Sequence, residues 1–346
     1  MMRPAHAPVP SQAARIGATP NPAFLAHDVF VALDSQYLLG AVCIGAQPSA
    51  TGPCAQLAMT PLNTGPCVEA WTGAQPVRRG RHGIVEHACD DETLFAVIEQ
   101  PLAADFEAQV RDAYEALLAA ANALGYRHFL RVWNYFPGIH VPDGELDRYQ
   151  VFCRGRHAAL TRCFGGPDTL ARVSGEFNAL LPAASAVGTH GGGLLVYALA
   201  SRVAGHPREN PRQTPAYHYP PEYGPKSPSF ARATLLPGGR RLYISGTASI
   251  VGHASRHPGD LDAQLDETLM NLSELISSTD TDEGTAFGDL RSIRHAKVYL
   301  RSPGDLDRVQ ARIASAFAAD CETLYLQGEI CRSELLIEIE AIAKAV

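Results

Sequence analysis

One pattern occurs twice in this chain, and the repeat constrains the fold more than any other feature. Residues 93–118, "TLFAVIEQPLAADFEAQVRDAYEALL", resemble residues 241–276, "RLYISGTASIVGHASRHPGDLDAQLDETLMNLSELI". Each begins as a β-rich run, turns, and continues as an amphipathic helix. "FEAQVRDAYEAL" sets beside "LDAQLDETLMNL" without a gap. Two strand-like runs follow, "YRHFLRVWNYF" (126–136) and "IRHAKVYLRS" (293–302). Next come helices at 145–156 and 305–316 that share L-D-R-x-Q, and then "LLVYALA" (194–200) and "LLIEIEA" (335–341). The expected fold is α+β: two tandem strand–helix–strand–helix–strand units with mixed β-sheets and helices packed on one face of each. The units are placed at 23–204 and 234–346, after an Ala- and Pro-rich loose tail at 1–22.

The last strand, within "CRSELLIEIEAIA" (331–343), carries an oddity. Strand alternation sends Leu335, Ile337, Ile339 and Ala341 to one face, and Leu336, Glu338, Glu340 and Ile342 to the other. Two carboxylates on such a strand mean either a half-exposed edge or a catalytic acid. The repeat bears on the choice. Glu338 aligns with Tyr197 and Glu340 with Leu199, so the same strand is built without carboxylates in the first copy. That favours a functional Glu338.

Residues 205–233 between the copies hold seven prolines and the aromatic residues Tyr217, Tyr219, Tyr223 and Phe230. They show no helical or strand period. The composition is stiff and aromatic rather than Gly/Ser-flexible, which predicts a pocket wall instead of a linker. The acidic stretch 277–289, absent from the first copy, reads as a solvated insertion. "THGGGLL" (189–195) lacks the Lys and the helix of a phosphate cradle. A net charge of −7 argues against nucleic acid and anionic membranes. Eight scattered cysteines form no CxxC pair or zinc spacing, and no signal-like or membrane-spanning run is present. These features predict a reduced, cytoplasmic protein without a metal site.

"LIEIEAIA" (336–343) and "GDLDAQLDETLMNL" (259–272) resemble the RidA/YjgF family, in which the first Glu of the C-terminal strand lies in a cleft between domains. Members that hydrolyse imines use an Arg just ahead of the last strand pair. Here Glu322 stands roughly in its place, which disfavours an enamine/imine deaminase. A closer resemblance runs from about residue 90 to the end. "RVWNYFPGI" (131–139), "RYQVFCRGR" (148–156), "LPAASAVG" (181–188), "YGPKSPSFARA" (223–233) and "SGTASIVGH" (245–253) together resemble the chorismatases, RidA-like enzymes that remove pyruvate from chorismate.

That resemblance implies a cofactor-independent enzyme with chorismate as its small-molecule partner and Glu338 as catalytic acid. Chorismate is a dicarboxylate with an enol ether, whose cleavage needs a proton on the terminal methylene carbon. An acid on an apolar strand face is desolvated, which raises its pKa, and Glu340 raises it further by repulsion. Two substrate carboxylates call for forked cations. Arg156, Arg232 and Arg301 are the candidates, with Arg148 and Arg154 as rivals to Arg156. Tyr149 and Tyr217 are candidate hydrogen-bonding groups. Gly246, Thr247 and Ala248 replace Glu99, Gln100 and Pro101 of the first copy and would let the ring approach the backbone. Cys331 resembles the residue that marks the hydroxybenzoate-forming subtype, where a thiol excludes water or acts as base or nucleophile. The expected product is 3-hydroxybenzoate, with 4-hydroxybenzoate as a possible companion. The alternatives are a hydrolase giving a dihydroxycyclohexadiene carboxylate, the RidA-type deaminase, and a non-catalytic carboxylate sensor. The duplication leaves open a pseudo-oligomeric monomer or a homotrimer.

Overall fold

The computed structural model describes residues 20–46, 52–164, 181–279 and 286–345. The chain first builds a small sheet from β1 (Asn21–Ala26), β2 (Leu38–Ile44), β3 (Cys54–Leu57) and β4 (Cys67–Thr72). Their order is β1-β4-β2-β3, with β2 and β3 parallel and the other pairs antiparallel.

The first repeat follows as β5 (Thr93–Gln100), α1 (Phe106–Leu124), β6 (His128–Pro137), α2 (Arg148–Phe164), β7 (Ala183–Thr189) and β8 (Leu194–Ser201). These strands run β7-β6-β8-β5, again with one parallel pair, β7 with β6. The second repeat is β9 (Arg241–Thr247), α3 (Leu261–Ser277), β10 (Ile293–Leu300), α4 (Leu306–Ala316), β11 (Glu322–Gln327) and β12 (Ile337–Lys344). Its order is β11-β10-β12-β9, with β11 parallel to β10. Both follow the expected strand–helix–strand–helix–strand plan, each with one further strand. Local chemistry repeats as well. Asp105 caps α1 by accepting from the Ala108 amide, and Asp260 caps α3 by accepting from Ala263.

Each sheet turns one face to its own helices. Val110, Ala113, Tyr114 and Leu117 of α1 pack on Ala96, Ile98, Val132 and Ala198. Leu265, Leu269 and Leu272 of α3 pack on Val298, Ile337, Ile339 and Ala341. The short helix His27–Val31 packs Phe30 on Val68 and Ala70 of the first sheet. The other faces meet in one central core, where Leu39 and Trp71 join Phe95, Trp133, Tyr197, Tyr243, Tyr299 and Leu324.

Four expectations change. Each repeat carries an additional strand, β7 or β11, which supplies its parallel pair. The stretch assigned to one N-terminal unit, 23–204, holds two sheets. Residues 1–19 of the expected tail lie outside the described residues, but from Pro20 onward the chain is bound. The Pro20 carbonyl accepts from Tyr243 Oη at 3.0 Å, and β1 pairs along its length with β4. Residues 280–285 of the acidic insertion also lie outside the described residues, while Phe287 within it is buried in the core of the third sheet.

Candidate active site

The alternation of β12 is realised as expected. Ile337, Ile339 and Ala341 pack against the helices, and Glu338 and Glu340 turn to the opposite face. Both are buried, 4% and 3% exposed. Their environments differ sharply. Glu340 accepts four hydrogen bonds, from Arg131 Nη2 (2.8 Å), Ser185 Oγ (2.6 Å), Trp133 Nε1 (2.8 Å) and Lys297 Nζ (2.9 Å). Burial alone would raise its pKa, but Lys297 and Arg131 hold it below the usual carboxylate value. Glu338 forms no ion pair among the described residues. Burial and then the charge of Glu340 push it up to about 8, against the opposing pull of Arg131 and Arg232. One carboxyl is therefore ionised and the other protonated at neutral pH, two positions apart on one strand.

Glu338 opens into a cavity of about 260 Å³. Of the expected residues, Tyr149, Arg156, Arg232, Gly246, Ala248 and Cys331 line it. Tyr149, Phe152, Cys153 and Arg156 share one helical face of α2, the i, i+3, i+4, i+7 stripe. Arg156 is 3% exposed, with its guanidinium over Phe152. The rivals are occupied elsewhere: Arg148 donates to the Pro137 carbonyl at 2.6 Å, and Arg154 pairs with Glu107. Arg232 comes from the Pro/Tyr segment. It is 4% exposed, donates to Tyr219 Oη (2.6 Å) and the Thr214 carbonyl (3.1 Å), and stacks on Phe230. Among the described residues, neither Arg156 nor Arg232 has a carboxylate within ion-pair distance, and each keeps a buried Nε–H without an acceptor. Glu209, which Arg232 favours in its charged form, is still pushed by burial to about 7.

Gly246 has a specific reason to lack a side chain. A Cβ there would fall 2.0 Å from Glu338 Oε1. Its absence makes room for the carboxyl, not only for a ligand ring. Cys331 packs with Ala248, Ile250 and Leu335, and burial together with the charge of Glu338 pushes its thiol up to about 12. It is a neutral thiol at neutral pH, which weighs against a thiolate base or nucleophile.

Three expected residues sit elsewhere. Tyr217 packs beside Leu160 and Leu181 and against His218. Thr247 is buried with its hydroxyl donating to the Ser245 carbonyl at 3.0 Å. Arg301 pairs with Glu329 and donates to the Leu335 and Arg332 carbonyls, so it braces the loop ahead of β12. The sequence reading missed Arg332, which lines the cavity with its guanidinium 3.9 Å from the Tyr223 ring centre and 5.2 Å from that of Tyr219. It also missed Ser185 and His140 in the lining. The 205–233 segment is a wall of the cavity through Tyr219, Glu222, Tyr223, Pro228, Phe230 and Arg232.

Fold and cavity define an α+β protein of tandem units with a buried, proton-bearing carboxyl and, in the same cavity, guanidinium groups that have no carboxylate partner among the described residues, an arrangement suited to acid chemistry on a small anion. The family description "Chorismatase FkbO/Hyg5-like, N-terminal" matches residues 69–200. A 3-hydroxybenzoate synthase of Streptomyces hygroscopicus is 37% identical over 80% of this chain and 81% of its own. A chorismatase of Streptomyces rapamycinicus is 34% identical over 79% of this chain and 81% of its own. A chorismatase crystal structure superposes with a TM-score of 0.84 at 30% identity, covering 95% of this chain and 99% of that one. The chain belongs to the chorismatase family.

Proposed function

We propose that this protein removes pyruvate from chorismate and releases 3-hydroxybenzoate. The observation that carries the reading is the pairing of a protonated Glu338 with the buried, carboxylate-free Arg156 and Arg232 in one cavity. Burying guanidinium groups without counterions is costly unless a ligand supplies them, and a dicarboxylate supplies two. Arg332, stacked on two tyrosines, is a third cation within the same wall.

Glu338 gives its proton to the terminal methylene carbon of the enol ether. The ring carbon–oxygen bond then breaks, and the ether oxygen leaves as the keto oxygen of pyruvate. The neighbouring ring hydroxyl oxygen bonds to the vacated carbon, its bond to its own carbon breaks as the ring aromatises, and the ring proton released returns to the Glu338 carboxylate. Chorismate equals pyruvate plus hydroxybenzoate atom for atom, so no water is consumed overall. The neutral Cys331 thiol and the apolar Ala248 and Ile250 beside it keep water from the ring. We read the molecule as a cytoplasmic monomer with reduced cysteines that needs no metal or organic cofactor. The name of one relative, 3-hydroxybenzoate synthase, points to the same product. The test is direct: add chorismate, follow pyruvate with a coupled dehydrogenase, and weigh the aromatic product by mass spectrometry. Absence of pyruvate overturns the assignment, and a product heavier by one water replaces it with the hydrolase.

A further inference from the structure

A buried ionic cluster adjoins the cavity and draws on all three sheets. Lys297 of β10 reaches Glu340 Oε1 at 2.9 Å and Glu69 Oε2 at 3.0 Å, with the hydroxyls of Tyr197 and Tyr135 at 2.8 and 3.2 Å. Tyr197 Oη also donates to Glu69 Oε2 at 2.8 Å. Arg131 of β6 closes the other side of Glu340. Glu69, Arg131, Lys297 and Glu340 are each 1–3% exposed. Two cations therefore face two carboxylates, and the cluster is neutral as it stands. Glu338 lies on the same face of β12 with no ion pair among the described residues. An additional negative charge there would find the cluster's cations already matched.

We propose that Glu69, on the partial first sheet, is a positioning residue for this chemistry: by balancing Lys297 it leaves the buried cluster beside Glu338 without a spare cation and so keeps the proton on that acid. The role rests on Glu338 being the proton donor. It gives a buried acid in the strand "CVEAWT", far along the chain from the cavity, a function that packing alone does not explain. The groups facing Glu338 are consistent with this. Glu340 lies on its own strand and Arg131, bound to Glu340, on β6. Tyr299 is opposite on β10, with its hydroxyl 2.6 Å from that of Tyr135. Cys331 lies in the preceding loop, and Ser185 and Gly246 contribute no charge. The remaining cations, Arg232 and beyond it Arg156 and Arg332, line the cavity and lie outside the cluster.

Removing the charge of Glu69 leaves Lys297 unbalanced and favours an ionised Glu338. Glu69→Gln keeps the shape and an oxygen acceptor for Lys297 and Tyr197, so the fold is retained. The measurement is the titration of Glu338 in ligand-free protein carrying 13C-labelled glutamate, its resonance assigned by loss in Glu338→Gln. The expected shift in Glu69→Gln is downward by about one pH unit, the order of a Coulomb interaction between non-adjacent buried charges at an effective dielectric near 20. The double variant Glu69→Gln/Lys297→Met restores neutrality and should bring the titration back toward the wild-type position, which a merely structural role for Glu69 would not do. If Glu69→Gln does not fold, Lys297→Met alone serves: it removes a cation and leaves the cluster negative, so Glu338 should titrate higher than in wild type, and an unmoved titration overturns the proposal. An unmoved titration in Glu69→Gln, or a double variant that stays with the single one, overturns the proposal. The titration needs no substrate. Failure to release pyruvate from chorismate would sink the catalytic reading and leave this result standing on its own.

Discussion

Glu338 holds its proton at a cost to the fold. Its carboxyl is raised from 4.5 to about 8 by burial and by Glu340. Between those values the folded chain keeps the proton and the unfolded chain releases it, so stability falls as pH rises through that window. Glu338→Gln has nothing to titrate. It should exceed wild type in stability at pH 8 by on the order of 1–4 kcal/mol, with the gap closing towards pH 4.5, as melting temperatures across pH will show. The same variant should lose on the order of 10²–10⁴-fold in turnover and still bind chorismate by calorimetry. Retention of more than about a tenth of turnover would make the carboxyl structural. Cys331→Ala tests the next position. Glu338 remains, so pyruvate should still be released, but the aromatic product should shift towards the hydrated diene, one water heavier. The folding penalty should stay below that of a Leu→Ala truncation, since only a small group is lost. Unchanged hydroxybenzoate at an unchanged rate would assign Cys331 to packing. Residues such as Glu338 were legible because they break a periodic pattern. Arg332 was not, because it lies in an aperiodic loop and its place on Tyr219 and Tyr223 depends on distant chain.

At the scale of elements, the site is made where β9 leaves the ladder. Its register against β12 shifts between Ile244 and Thr247, and Gly246 in that irregularity faces Glu338. Ser185 of β7 ties the elements together: its hydroxyl accepts from the Gly246 amide at 2.9 Å and from Arg131 at 2.5 Å, and donates to Glu340 at 2.6 Å. Gly246→Ala should therefore displace the acid without touching a hydrophobic core. Turnover should drop about 10²-fold, the cost of misplacing a reacting group by around an ångström, while the melting temperature changes little. Wild-type turnover in Gly246→Ala would show that the carboxyl moves freely and is not positioned by this contact. Helices and strongly alternating strands were readable in the sequence, as the shared Asp caps and the β12 pattern show. β7, "AASAVGT", was not, since small residues buried almost throughout carry no alternation. Arg301 was misplaced because nothing local marks its pairing with Glu329 across the fold.

At the scale of the molecule, the first sheet repeats the plan of the other two. Its strand order and parallel pair, β1-β4-β2-β3 with β2 alongside β3, match β5-β8-β6-β7 and β9-β12-β10-β11. It is a third, shortened copy, which was invisible in the sequence because its described helical segments span only His27–Val31 and Ser35–Tyr37. The three sheets join head to tail. The Gln56 amide of β3 donates to Glu99 of β5 at 2.9 Å. The Ala184 amide of β7 donates to Ser245 of β9 at 2.9 Å, and the Phe24 amide of β1 donates to Glu322 of β11 at 3.3 Å. Each third strand thus meets the first strand of the next sheet, and the ring closes within one chain, as a heterologous trimer closes between chains. Among the described residues, the acid Glu338 stands at the junction of the second and third sheets. At the junction before it Glu99 stands where Gly246 would, and Tyr197 where Glu338 would. A closed ring leaves no equivalent face for a further copy, so sedimentation velocity should show one species of 37.1 kDa at micromolar concentration. The first sheet is then indispensable although the cavity is lined by residues from His140 onward. A chain lacking residues 1–72 loses Trp71 and Glu69, uncovers Tyr243, Leu324 and Leu326, and leaves Lys297 half-paired. It should aggregate or melt without a cooperative transition. A truncated chain that folds as a monomer and releases pyruvate at the full-length rate would show that two copies suffice and that the third is dispensable.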